Sequence, residues 1–314
     1  MIEVKNLTKR YGQHLALDNI SFSVEEGEIL GFLGPNGAGK STTMNIMTGY
    51  IASTEGEVTI GNVNVVDEPE KAKAQIGYLP EAPPIYGDMR VDEYLNFVAA
   101  IKKVKRSERK QMISQIKSIV HIEDMSRRLI KNLSKGYRQR VGMAQAMIGF
   151  PRLIIMDEPT VGLDPKQIIE MRDVIKGLGN KHTVILSSHI MQEVSAVCDR
   201  VMIINKGRIV ASDTPERLSS NLGRSQKMGV RIKGSQQQVA SALEAYPSIA
   251  EVNFVASKES GTVDFELAGE NDEDIREAIF DCMSSNNLPI LMMKSLDLTL
   301  EEIFLQVTGE ESAS

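Results

Sequence analysis

Gly34-Pro35-Asn36-Gly37-Ala38-Gly39-Lys40-Ser41-Thr42 follows an apolar run at 28–33 and opens a helical stretch. The spacing G-x-x-x-x-G-K-S, with a strand before it and a helix after it, predicts a phosphate-binding loop. Each residue type has a physical reason. Glycines let backbone N–H groups wrap an anion, and the amino end of the following helix adds a favourable field. Lys40 carries a charge that reaches the β and γ phosphates of a nucleoside triphosphate, and Ser41 offers a hydroxyl to Mg2+.

Further along, Leu153-Ile154-Ile155-Met156-Asp157-Glu158 reads as an apolar strand that ends in two carboxylates. Similar short runs of Ile, Leu, Val and Met at 183–186 and 201–204 suit strands buried on both faces of a largely parallel sheet. The two acids then fall at the carboxyl edge of that sheet, where α/β proteins bind ligands. Asp157 suits a magnesium shell, and Glu158 suits orienting or deprotonating an attacking water. Residues 91–148 carry no strand signal and read as a helical subdomain inserted into the α/β core.

After Asn221-Leu222-Gly223 the pattern changes. Strand-like 228–232, helical 236–246, a strand pair at 252–256 and 263–267, helical 273–284 and strand-like 290–293 are followed by a last helix at 300–307. The order β-α-β-β-α-β resembles a ferredoxin-like unit. The expected plan is a main domain at 1–223, an accessory α+β domain at 224–308 and a flexible acidic tail at 309–314.

Composition narrows the function. The chain has 314 residues, 42% of them hydrophobic and 25% charged, which is ordinary for a globular protein. No stretch approaches the roughly 18 apolar residues of a membrane span, and Met1 leads directly into Ile2-Glu3-Val4-Lys5, so neither a span nor a secretory leader is expected. Two cysteines, Cys198 and Cys282, cannot build a disulfide framework and fit a reducing cytosol. A net charge of -6 and a pI near 5.5 argue against a general nucleic-acid binder, which needs a basic face. The basic run Lys102, Lys103, Lys105, Arg106, Arg109 and Lys110 reads as a solvated helix face, with attraction to anionic lipid as the alternative.

Leu133-Ser134-Lys135-Gly136-Tyr137-Arg138-Gln139-Arg140, some twenty residues before Asp157, resembles the signature motif of the ABC ATPases. With the phosphate loop and the acidic strand end, the resemblance covers residues 2–222. It implies an α/β phosphate-loop ABC ATPase core that hydrolyses ATP with Mg2+. In such a core Ser134 and Gly136 start a helix whose amino terminus faces the γ-phosphate held by a second subunit. Tyr11 resembles the aromatic that stacks on adenine. Gly162-Leu163-Asp164 resembles the loop that crosses the dimer interface, which makes Asp164 a nucleotide-side residue. His189, following Ser187-Ser188, resembles the switch histidine that touches the γ-phosphate and holds Glu158 and water in place.

Two positions depart from the commoner family pattern. Glu81, in Ile76-Gly77-Tyr78-Leu79-Pro80-Glu81, stands where glutamine is usual, and the signature has Lys135 and Tyr137 in place of glycine and glutamine. Glu81 is expected to meet Mg2+ or water, at the hinge of the helical subdomain. Both variants are similar to a subgroup serving drug, sodium, polysaccharide and gliding-motility export. In that subgroup Tyr78-Leu79-Pro80-Glu81 and Leu300-Glu301-Glu302-Ile303-Phe304-Leu305 recur. The implied partners are transmembrane permease subunits and a second copy of the chain or a homologous ATPase subunit, on the cytoplasmic face of the membrane. A soluble ABC ATPase of nucleic-acid or translation machinery is the alternative. Such proteins usually add a coiled coil, a zinc module or a second ATPase head, and none is visible. A degenerate adaptor is opposed by intact Lys40, Asp157, Glu158 and His189.

Overall fold

The computed structural model describes residues 1–179, 181–222, 227–257, 259–269 and 273–296. The helix expected at 300–307, the motif at 300–305 and the tail at 309–314 lie outside the described residues. The chain forms two compact units, Met1–Pro215 and Glu216–Ser314.

The first unit opens with an antiparallel hairpin, β1 (Ile2–Tyr11) and β2 (His14–Val24), followed by β3 (Ile29–Leu33) and helix α1 (Lys40–Met47). β4 (Glu55–Ile60), β5 (Val63–Asn64), α2 (Pro69–Ala74) and β6 (Ile76–Leu79) come next. A helical block then holds α3 (Val91–Ile101), α4 (Arg106–Ile119) and α5 (Lys135–Met147). The chain returns to α/β alternation with β7 (Leu153–Met156), α6 (Pro165–Gly179), β8 (Thr183–Ser188), α7 (Met191–Val197), β9 (Arg200–Asn205) and β10 (Arg208–Asp213).

Two sheets result. The central one has six strands in the order β10-β9-β3-β8-β7-β6, parallel except for the β9/β10 edge pair. Every residue of β3, β7 and β8 is buried, as strands covered on both faces must be. On one face Leu30 and Phe32 of β3 and Leu153 and Ile155 of β7 share a core with Met44 and Met47 of α1 and with Val4, Leu7, Leu17 and Ile20 of the hairpin. Each such side chain, removed from water, contributes roughly 1.5–3 kcal/mol. On the other face α7 comes so close that a Cβ at Gly31 would strike Val194 and Cys198.

The second sheet, antiparallel in the order β2-β1-β4-β5, is an element the sequence reading did not resolve. β1 pairs with β2 through register shifts between Val4/Leu7, Leu7/Lys9 and Lys9/Arg10, and its burial alternates irregularly. Each bulge inserts a residue and breaks the period of two by which a half-buried strand is recognised.

The helical block is pinned to the central sheet through α5. Gly77 of β6 lies against the Ala146 carbonyl, and a Cβ at Gly142 would come within 2.7 Å of Pro83 and 2.8 Å of Leu79. The helix therefore lies on the strand that leads to Glu81.

The second unit begins in α8 (Pro215–Leu222) and continues as β11 (Met228–Lys233), α9 (Gln236–Glu244), β12 (Ile249–Ala256), β13 (Thr262–Gly269), α10 (Arg276–Ser285) and β14 (Ile290–Ser295). Its sheet order is β12-β13-β11-β14, antiparallel throughout. That is the β-α-β-β-α-β plan of a ferredoxin-like unit, with Val230, Phe265 and Leu267 packed against Val239, Leu243 and Ile279.

Candidate active site

The parallel register brings four strand ends to one edge. Leu33 of β3 lies opposite Ser188 of β8, Leu186 opposite Met156 of β7, and Met156 opposite Leu79 of β6. The residues that follow each strand are therefore neighbours: the loop from Gly34, the Ser187–His189 segment, Asp157 with Glu158, and Pro80 with Glu81. This is the carboxyl edge at which the sequence placed the site.

The loop after β3 is shaped by its glycines. Gly39, at φ 114°, precedes α1, and a Cβ there would lie 2.7 Å from Leu17 and 3.0 Å from the Ala16 carbonyl of β2. A Cβ at Gly34 would strike the Ile204 carbonyl, whereas Gly37, at φ 79°, borders open space. The loop is braced by Ala38 N–H on the Pro35 carbonyl at 3.1 Å, Gly207 N–H on the Ala38 carbonyl at 2.9 Å and Thr43 Oγ1 on the Gly39 carbonyl at 2.9 Å. Lys40 is 6% exposed, and its Nζ donates to the Gly34 carbonyl at 2.8 Å and lies 3.4 Å from Glu158 Oε1. A fixed ammonium at the amino end of a helix, beside flexible-backbone glycines, fits the polyanionic tail of a nucleotide. Ser41 and Asn36 are exposed and Thr42 and Pro35 half-buried at the same turn.

Asp157 and Glu158 are both buried. The Ser187 hydroxyl donates to Asp157 Oδ1 at 2.5 Å and accepts from the Glu158 N–H at 2.9 Å. Glu158 sits at φ 48°, an unusual conformation for a side-chain-bearing residue, held by that bond and by Val161 N–H on its carbonyl at 3.2 Å. His189 Nδ1 is 2.9 Å from Glu158 Oε2, with the imidazole 44% exposed. The carboxylate thus lies between a lysine on the phosphate loop and an imidazole open to solvent.

The remaining expected residues lie further out. Tyr11 ends β1, 49% exposed, with Lys9 Nζ 5.0 Å from its ring centre. It pairs with His14 at the tip of the hairpin whose Leu17 touches Gly39. Glu81 is exposed two residues beyond Leu79, whose carbonyl accepts from Asp157 N–H at 2.8 Å. Ser134 is the exposed N-cap of α5, accepting from Tyr137 N–H at 3.4 Å. Next to it Gly136 lies against Gln167 and Lys135 against Gly162, which has φ 69°. Asp164 caps α6, its Oδ1 accepting from Gln167 N–H at 2.9 Å. The signature segment and the loop after Glu158 are therefore packed together within the chain.

Sequence reasoning missed the hydroxyl layer beneath these groups. Ser187 and Ser188 served only to mark a strand end, and Thr160 drew no attention. Two consecutive serines closing an apolar strand directly before His189 are the signal that could have found them. Tyr78 enters the sequence reading only as part of its motif. Its hydroxyl is 3.3 Å from Asn45 Oδ1 of α1, and burial pushes its pKa up to about 12.

Known proteins resemble this chain in sequence and in fold. Residues 17–161 match the ABC transporter family model. The linearmycin resistance ATP-binding protein LnrL of Bacillus subtilis is 31% identical over 310 residues, 98% of either chain. The bacitracin transport ATP-binding protein BcrA of Bacillus licheniformis is 36% identical over 212 residues, 67% of this chain and 68% of that one. Among solved structures, the dimeric bacterial ABC transporter cassette MJ0796 superposes with a TM-score of 0.63 at 28% identity, covering 68% of this chain and 98% of its own. A phosphate loop with a buried lysine, an acidic pair at the same carboxyl edge of the sheet and full-length similarity to such proteins lead to one conclusion: this chain belongs to the ABC transporter family, as an ATP-binding, ATP-hydrolysing subunit.

Proposed function

We propose that the chain powers an exporter, as a Mg2+-dependent ATPase on the cytoplasmic face of the membrane, driving separate transmembrane subunits. No helix among the described residues is long and apolar enough to cross a membrane. Export is supported by relatives named for linearmycin resistance and bacitracin transport. Two exposed aromatics at the start of the helical block, Tyr86 and Phe97, with Tyr86 also in edge contact with the buried Tyr94, offer apolar surface of the kind that buries against a protein partner.

The observation that carries the reading is Glu158, held between Lys40 Nζ at 3.4 Å and His189 Nδ1 at 2.9 Å. Lys40 and the loop N–H groups from Gly34 to Thr42 bind the phosphates, and Tyr11 stacks on the adenine. Glu158 takes a proton from water as its oxygen bonds the γ-phosphorus and the bond to the departing ADP oxygen breaks. His189 holds the Glu158 carboxylate in place. Mg2+, when bound, offsets the negative charge that develops on the phosphate oxygens. Ser41, Asp157 and Glu81 would hold it. A carboxylate at Asp157 and a hydroxyl at Ser41 suit Mg2+, which takes one or two carboxylates plus waters and phosphate oxygens rather than a protein cage. Two copies, or one copy with a homologous subunit, close on the nucleotide, with Ser134, Gly136 and Asp164 of one facing Lys40 of the other. The dimeric MJ0796 cassette supports that arrangement.

Glu158→Gln keeps the shape and removes the base. ATP hydrolysis should fall by about 10²–10⁴-fold, while ATP binding by equilibrium dialysis stays near wild type. Full turnover by that variant would remove the base assignment.

A further inference from the structure

Glu193, in α7, is 5% exposed. Its Oε2 receives hydrogen bonds from two hydroxyls on two separate segments, the loop after β7 and the end of β8. One is Thr160 Oγ1, two residues after Glu158, and the other is Ser188 Oγ at 3.1 Å, one residue before His189. Ser188 Oγ also accepts from Ile190 N–H at 3.0 Å, so the residues on either side of His189 are tied to the same group. Both donors converge on one oxygen, and neither loop can shift without disturbing a bond shared with the other.

We infer that Glu193 is a positioning residue for ATP hydrolysis, locking the Glu158 and His189 loops together so that carboxylate and imidazole keep their contact. The inference rests on Glu158 being the base. Burying a carboxylate is costly unless donors compensate it, and O–H donors to a charged oxygen are among the stronger hydrogen bonds. The buried neighbours Val194 and Val197 on the same helix are apolar, so packing alone would be served by an apolar residue at 193 as well. An acid there is explained by what it holds. Ser187 ties Asp157 and Glu158 directly to β8. Glu193 adds a second tie, between Thr160 and Ser188. Together they fix the distance and the angle at which His189 meets Glu158.

The test uses the full chain together with its membrane subunits. Glu193→Ala should lower kcat by about 10- to 100-fold, the scale of a displacement of about 1 Å at a reacting group, with KM for ATP within about twofold. Glu193→Gln retains a carbonyl oxygen able to accept both bonds and should recover most of the loss. Thr160→Ala should lower kcat in the wild-type background yet add little to Glu193→Ala, because the two remove the same interaction. Wild-type kcat in Glu193→Ala would overturn the inference. So would a loss matching a fall in folded fraction by circular dichroism, a parallel rise in KM, or additive effects of Glu193 and Thr160. If Glu193→Ala does not fold, the Thr160→Ala/Ser188→Ala double variant removes both donors, and wild-type turnover there overturns the inference equally. Glu158→Gln measured alongside separates the two claims. An inactive Glu158→Gln beside a fully active Glu193→Ala sinks only the positioning role, whereas an active Glu158→Gln sinks the base itself.

Discussion

Ser187 is fully buried and uses its hydroxyl twice, donating to Asp157 and accepting from the Glu158 backbone. Ser187→Ala would leave a buried N–H and a buried carboxylate oxygen each one partner short, at a cost of about 1–3 kcal/mol. The expected outcome is a lower Tm together with half-maximal ATPase activity at a higher Mg2+ concentration, since Asp157 loses its orientation. An unchanged Tm and an unchanged Mg2+ titration would show that the serine is dispensable. At this scale the sequence was informative wherever chemistry is local. Gly34 to Thr42, Asp157, Glu158 and His189 announce themselves because spacing or a strand end decides their meaning. Thr160, Ser187, Ser188 and Glu193 act through contacts between loops some thirty residues apart, and no local spacing encodes that.

Among the elements, α3 and α5 are joined by Lys102, the C-cap of α3. Its Nζ donates to the Ala146 carbonyl at 3.3 Å and the Ile148 carbonyl at 2.9 Å, at the carboxyl end of α5. A cation is favoured at a helix carboxyl end. Burial opposes it more strongly, lowering the Lys102 pKa from 10.5 to about 8. Between those values the unfolded chain binds a proton that the folded one does not, so stability rises with pH, by about 1.4 kcal/mol per pH unit for one proton. The burial penalty is fully present below pH 8 and relieved toward 10.5. Lys102→Met removes the titration at similar length. Urea unfolding from pH 8 to just below 10 should then show a shallower rise for the variant than for wild type, and equal slopes would mean that Lys102 keeps its proton. The limit of pH 10 avoids Tyr78 and Tyr94, whose raised pKa values of about 12 reduce stability above it. Elements with unbroken patterns were readable from sequence: the buried runs of β7 and β8, the helical block and the alternation of the second unit. The hairpin β1–β2 was not, because its bulges and its shared core with β3 and α1 are decided by tertiary packing.

For the whole molecule the open question is which chain completes the nucleotide site. Ser134 stands exposed at the amino end of α5, a helix of 13 residues whose leading N–H groups favour an anion. Lys40 is buried in the phosphate loop. If ATP lies between two chains, each site takes Lys40, Asp157 and Glu158 from one and Ser134 and Gly136 from the other. Mixing a Lys40→Ala protein with a Ser134→Arg protein, each inactive alone, then has a definite outcome. In every mixed dimer one site carries both defects and the other carries none. Random exchange makes half the dimers mixed, so about a quarter of all sites become intact under two-fold symmetry. Hydrolysis should return in that proportion. If instead each site were built within one chain, every site would keep one defect and no activity could reappear. Strong coupling could silence the intact site in a mixed dimer, so trapping is measured as well. With Glu158→Gln added to both proteins, a verified mixed dimer should retain one ATP. Mixed dimers that neither hydrolyse nor trap would rule out the shared site, and the signature helix would then have to act on its own chain's nucleotide.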